Sequence, residues 1–310
     1  MKHSASGFAR HFFRAYRNGP IRIGHSFIRH FFGPILDKQQ TIQLRSGLKL
    51  ILDLSKGNQN AIFWNDEDGG LHLSWAIREL VPLNGLFLDC GANCGLIGLL
   101  AHQYRMARVI FIEPHPRLAK SILENIRINN FGSSCELIET AVSDLGGDIS
   151  FYEDLKNDGG HSVHVDSEDR DKRCFIGKVK CLTLKTIIEE RNLSKIHFLK
   201  IDTEGNDFNV LTSLGDLLQP SLIEVLFVEM TQNQEAICNL MHTNGYIGFI
   251  CTTHKRRQTM RLRSIYGSGG SVCVFEPLNK EFVPNGDVLW CGNNSNQAAY
   301  LKRLYSNQHQ

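Results

Sequence analysis

The chain has 310 residues, 42% hydrophobic and 21% charged, a length that fits two domains or one large α/β domain and a composition that excludes a disordered chain. Thirty-four Lys and Arg against 32 Asp and Glu leave +2, which excludes a generally polybasic nucleic-acid coat, and no apolar run approaches the ~20 residues of a bilayer span. Nine cysteines with no C-x-x-C pair and no secretory signal argue against a disulfide framework or zinc knuckle, and for a soluble protein of a reducing compartment, read as cytoplasmic.

Residues 1–36 carry Lys2, Arg10, Arg14, Arg17, Arg22 and Arg29, six phenylalanines and no acid. Phe8, Phe12 and Phe13 beside Arg10, Arg14 and Arg17 suit a basic amphipathic helix, broken at Gly19-Pro20. This extension, taken to residue 40, is read as an element packed on the main domain. The alternatives are peripheral contact with an anionic membrane surface and an organellar presequence.

Alternating residues at 41–45 and 48–54, joined across Ser46-Gly47, predict a β-hairpin, and 71–80 predict a helix closed by Pro82 and Gly85. From there strands and helices alternate. Strands are expected at 86–90, 109–113, 136–141, 196–202 and 223–230, and helices at 96–104, 117–130, 184–191, 207–218 and 234–244. Two short strands, 247–250 and 271–275, end the series, and an irregular insertion occupies 145–181 with strand-like ends. Continuous apolar strands separated by helices imply a Rossmann-like α/β fold with a mainly parallel sheet covered on both faces. The main domain is taken as 41–290, with a core at 86–276, and 291–310 as a polar tail.

In such sheets ligands sit at the carboxyl ends of the strands. After the first core strand comes Asp89-Cys-Gly-Ala-Asn-Cys-Gly95: an acid, then a turn in which Gly91 and Gly95 let backbone approach a ligand, with Ala92 and Asn93 between them. The next strand ends in Glu113, 22 residues beyond Gly91, where a carboxylate suits both ribose hydroxyls of an adenosine. A dinucleotide fingerprint would want glycine where Asn93 and Leu96 stand, so S-adenosylmethionine is favoured over an NAD-linked oxidoreductase. Ser143 and Asp144 follow the third strand on the adenine side.

The fourth strand ends Leu199-Lys-Ile-Asp-Thr-Glu-Gly205, and alternation puts Lys200 and Asp202 on one side of the ribbon with Glu204 beside them. Methyl transfer to a hydroxyl needs a proton removed, for which Asp202 is the favoured base, with Lys200 steadying the oxyanion. Glu229 ends the fifth strand and joins this site; Asp202 with Glu229 is also the candidate pair for a divalent cation. His161 and Ser162 in the insertion are candidate acceptor contacts, and five cations within 255–263 form a patch that suits an anionic acceptor or a solvated loop. No RNA-binding motif accompanies it, so no specific nucleic acid is expected.

Asp89-Cys-Gly-Ala-Asn-Cys-Gly95, Glu113-Pro-His-Pro116, Ala141-Val-Ser-Asp144 and Leu199-Lys-Ile-Asp-Thr-Glu-Gly205 together resemble the FkbM-type methyltransferase family over about residues 71–275. The resemblance implies a class I methyltransferase fold, with a seven-stranded sheet, that uses S-adenosylmethionine to methylate hydroxyl oxygens of sugars or natural products. It would set Asp89, Gly91, Asn93, Gly95, Glu113 and Asp144 around the donor and Lys200, Asp202 and Glu204 near a glycan or small hydroxylated acceptor. Cys94 stands where the family usually has a larger aliphatic residue, and Asn206-Asp207 replaces a more usual small-acid pair. The rival from another class is a membrane-peripheral binding module that keeps the crevice without catalysis.

Overall fold

The computed structural model describes residues 36–65, 71–154, 173–255, 271–278 and 286–308. The basic extension up to residue 35, His161 and Ser162, and the cationic patch from residue 256 onward lie outside the described residues.

The chain opens with the expected hairpin, β1 (Gln39–Gln43) and β2 (Lys49–Asp53), followed by α1 (Gly57–Asn65) and α2 (Leu71–Leu80). Then come β3 (Leu86–Cys90), α3 (Leu96–Arg105), β4 (Arg108–Ile112), α4 (Pro116–Asn129), β5 (Cys135–Ile138) and the two-residue β6 (Ala141–Val142). The insertion is an antiparallel arm of β7 (Gly147–Asp154) and β8 (Arg173–Leu182), joined by β6 into a separate three-stranded sheet. The remainder is α5 (Leu184–Glu190), β9 (Phe198–Ile201), α6 (Asp207–Thr212), β10 (Val225–Met230), α7 (Gln234–Thr243), β11 (Tyr246–Lys255), β12 (Ser271–Pro277), β13 (Gly286–Gly292) and α8 (Asn296–Gln308).

The central sheet runs β12-β11-β13-β10-β9-β3-β4-β5. Strands β5, β4, β3, β9 and β10 are parallel, and β13, β11 and β12 pair antiparallel at one edge. The sheet is thus α/β and largely parallel as expected, but among the described residues it has eight strands rather than seven. The additional one is β13, inserted between β10 and β11. Its apolar centre, Val288-Leu-Trp-Cys291 between Gly286 and Gly292, is a short buried-strand pattern in a region taken from sequence as the domain's end. The supposed polar tail is α8, with Ala298 and Leu301 buried in the core. The hydroxyl of Tyr300 donates to Glu79 on α2 at 2.9 Å.

Alternation along the strands sorts the core into two layers. Phe87, Phe198, Phe227 and Leu289 face one layer with β1, β2, α1 to α4 and α8; Leu88, Leu199, Leu226 and Trp290 face the other with α5, α6 and α7. Polar residues of the first face are therefore brought to one side of the sheet. Register pairs Asp89 with Lys200 and Lys200 with Phe227, and one step further along the strands pairs Glu229 with Asp287.

The hairpin reaches this architecture through asparagines on α4. Asn125 Oδ1 accepts from the Ile51 amide at 2.7 Å and its Nδ2 donates to the Cys94 carbonyl at 3.1 Å. Asn129 accepts from the Lys49 amide and donates to the Lys49 carbonyl, so helix side chains cover what would be a bare strand edge. One fully buried Asn125 thus couples the hairpin to the glycine turn after β3.

Candidate functional site

A cavity of about 410 Å³ opens at the carboxyl ends of the parallel strands. One wall is the turn after β3. Gly91 and Ala92 both donate to the Ile112 carbonyl and Gly95 donates to Ala92, which curls the backbone tightly. Gly91 has φ of 73°, and a Cβ on it would lie 1.9 Å from the backbone oxygen of Asp202. Only glycine lets β3 and β9 approach this closely. Gly91→Ala should cost about 1–3 kcal/mol from overpacking, with a further ~1–2 kcal/mol from left-handed backbone, seen as a lowered denaturation midpoint.

Glu113, 4% exposed at the end of β4, lines the cavity. Its two oxygens accept from the amides of Asn93 at 2.8 Å and His115 at 3.0 Å. Burial pushes this carboxyl up to about 7, outweighing the two amides that favour its charge. Thr140, Ala141 and Val142 continue the wall with Phe151 of β7, so the arm contributes to the site. Ser143 buries its side chain and donates to Asp144 at 3.0 Å, while Asp144 is exposed; neither belongs to the cavity lining.

Asp89 also stands behind the wall. It is fully buried, accepts from the Gly98 amide at 2.9 Å, and lies 3.4 Å from Nζ of Lys200. Its place is as an anchor between β3, α3 and β9. Gly98 is equally part of that anchor, since a Cβ there would lie 2.3 Å from the Phe111 ring. Gly95, at φ of 82°, packs its Cα side against Ile122 of α4 outside the lining.

Lys200 reaches the cavity from the floor, 4% exposed, with Nζ 3.1 Å from the Gly91 carbonyl and 3.1 Å from Asp202 Oδ2. Burial works to lower its proton affinity, but Asp202 and Asp89 together win and hold the ammonium above its ordinary range. Asp202, Glu204 and Glu229 each bring a carboxylate oxygen within 4.8 Å of the others. Burial and the neighbouring Asp202 charge push Glu229 up to about 8, and it shares a hydrogen bond with Asp202. That shift favours the protonated form of Glu229, in which its hydrogen bond with Asp202 offsets part of the repulsion in this group.

The backbone of the loop after β9 has a shape that spacing in the sequence does not indicate. Glu204 and Gly205 are consecutive left-handed residues, at φ of 53° and 92°. Asp207 stabilises that turn, accepting from Thr203 N at 2.8 Å and Thr203 Oγ1 at 2.9 Å. Asn206 donates to the Val142 carbonyl at 2.8 Å and ties the turn to β6. The Asn-Asp pair read as a departure from the family pattern is thus a clamp at this position.

The remaining wall comes from the N-terminal helices: Asn58, Ala61 and Ile62 of α1, and His72 and Leu73 of α2. Helix α1 was not expected, because its Gly-Asn-Gln-Asn start lacks the apolar spacing of an amphipathic helix and its buried Ile62-Phe-Trp64 is a contiguous run. No described helix is long and apolar enough to cross a membrane.

No curated protein matches the sequence. Similar solved structures include M. jannaschii TYW2 in complex with AdoMet, at 12% identity and TM-score 0.39, covering 82% of this chain and 85% of that one. M. capricolum TrmK in complex with S-adenosyl-homocysteine has 8% identity and TM-score 0.41, with 73% and 70% covered. The C-terminal domain of precorrin-6Y C5,15-methyltransferase from Rhodobacter capsulatus has 13% identity and TM-score 0.38, with 71% and 85% covered. The sequence matches the methyltransferase FkbM domain over residues 89–253, more than half of the chain, from the acid that anchors β3 through β11. The chain belongs to the FkbM methyltransferase family.

Proposed function

We propose that the protein transfers a methyl group from S-adenosylmethionine to a hydroxyl of a carbohydrate or other small polyhydroxylated acceptor. The observation that carries this reading is Glu113, a buried carboxylate facing a cavity whose opposite end is rich in hydrogen-bonding side chains. Its volume, about 410 Å³, lies within the ~300–1,000 Å³ of small-molecule sites. Glu113 would receive the ribose hydroxyls and the backbone of Gly91 to Asn93 the amino acid portion of the donor, which supplies an electrophilic methyl when bound.

At the other end Asp202, Glu204, Glu229 and Asp287 line the cavity with Lys200. A carboxylate-rich wall accepts hydrogen bonds from hydroxyls and repels anions, which favours a neutral polyol or glycan. Lys200 would steady negative charge developing on the acceptor oxygen, and Asp202 would hold the hydroxyl in line for attack. Calorimetric titration with S-adenosylmethionine tests the donor half, and no binding by the wild-type protein defeats it. Asp202→Asn is expected to leave donor affinity within about twofold and reduce transfer at least tenfold, read as labelled methyl groups recovered in a glycan and metabolite extract; undiminished transfer removes Asp202 from the site.

A further inference from the structure

We propose that His72 is the general base of this transfer and that Asp287 positions it, an inference that rests on the methyltransferase reading above. The two residues are 215 positions apart, yet His72 Nε2 lies 2.7 Å from Asp287 Oδ2. A carboxylate can only accept, so the contact places a proton on Nε2, and it is the other nitrogen, Nδ1, that can take a proton from an acceptor. The imidazole also stacks on Phe227, with centroids 5.7 Å apart and planes 18° from parallel, so its orientation is set from two directions. No described residue hydrogen-bonds Nδ1. His72, Phe227, Asp287, Glu229 and Asp202 all line the same cavity.

The other candidate bases are already engaged. Lys200 donates to Gly91 and lies 3.1 Å from Asp202, so the Asp202 carboxylate is already held by an ammonium. Asp287 is the cross-strand partner of Glu229, which sets the His72–Asp287 pair beside the carboxylates of the acceptor end. The side chains of His72 and Asp287 are 20% and 31% exposed, open to a ligand yet supported by the fold.

With S-adenosylmethionine bound, the acceptor oxygen would bond to the methyl carbon as the carbon–sulfur bond breaks, the electron pair of that bond passing to sulfur and discharging the sulfonium. The hydroxyl proton goes to His72 Nδ1, and Asp287 stabilises the resulting imidazolium until the proton leaves to solvent.

The test uses the full-length protein. Nitrogen-15 NMR of the histidine rings at a pH where the ring is neutral, with His72→Gln to assign the signal, should show the Nε2–H tautomer, and Asp287→Asn should weaken that preference. Turnover is read as S-adenosylhomocysteine release with glycerol as the probe hydroxyl. His72→Gln should lower it ~10²–10⁴-fold, the usual range of general-base catalysis, with calorimetric donor affinity unchanged within twofold. Asp287→Asn should lower kcat more than it changes KM, and Asp287→Glu should restore part of the loss. An Nδ1–H ring, or wild-type turnover by the donor-bound His72→Gln protein, overturns the assignment. Failure of the wild-type protein to bind the donor instead defeats the methyltransferase reading beneath it.

Discussion

Lys200→Met is expected to destabilise the protein by about 3–5 kcal/mol, because it strips the partner from a buried carboxylate. Asp89 has no exposed surface, and without the ammonium only the Gly98 amide is left to offset its charge. Asp202 is less affected, since its side chain is 37% exposed and water can take over. Marginal stabilities of ~5–15 kcal/mol make this a large share of the total, and denaturant melts should show it as a lowered midpoint at constant slope. The double variant Asp89→Asn/Lys200→Met removes both charges and keeps an oxygen for Gly98, so it should recover most of the loss. Full stability of Lys200→Met, or no recovery in the double variant, would show that the Asp89–Lys200 pair is not what joins β3 to β9. Lys200 therefore has two tasks in this account, anchoring the sheet beneath the site and presenting charge to it, and only the double variant separates them.

The parts of the site that could be read in the sequence are those that repeat a local rule. Parallel strands put ligands at their carboxyl ends, so Asp89, Glu113, Asp202 and Glu229 could each be picked out by standing at the end of an apolar run. Alternation placed Lys200 and Asp202 on one side of β9, and both face the Asp89 layer. What alternation does not give is depth. Asp89 looks like a ligand contact in sequence but lies beneath the turn, because the Gly91 backbone closes over it onto the Asp202 carbonyl. The half of the cavity built by α1, α2 and β13 was invisible for a different reason: His72 and Asp287 meet only through the insertion of β13 next to β10 and the docking of α2 over Phe227. No spacing rule connects residues brought together by sheet order. Asn125 is a similar case, an ordinary helix residue in sequence whose side chain bonds distant backbone, and Asp207, marked in sequence only as a departure, bonds a strained turn.

Donor affinity is expected to rise roughly tenfold between pH 6 and pH 8 and to lose that dependence in Glu113→Gln. With its carboxyl pushed up to about 7 by burial, Glu113 goes from about one-tenth to about nine-tenths ionised over that interval, and the ionised form is the stronger acceptor for ribose hydroxyls. Stability of the free protein should move the opposite way. The folded state keeps a proton that an unfolded glutamate, ordinarily titrating at 4.5, gives up, so rising pH from there to about 7 favours unfolding, by up to about 3 kcal/mol. Glu229 adds to the same trend up to about 8. Glu113→Gln removes one contribution to that slope but sets an amide NH₂ against the Asn93 or His115 amide, costing ~1–3 kcal/mol for the hydrogen bond it cannot make. Calorimetric titrations with S-adenosylmethionine across this range, beside thermal melts without it, measure both trends together. The opposition between them is what a carboxylate does when it is buried before its ligand arrives: the charge that the donor would use is the one the empty fold disfavours. A donor affinity flat from pH 6 to pH 8 would mean that Glu113 serves only the turn it already holds.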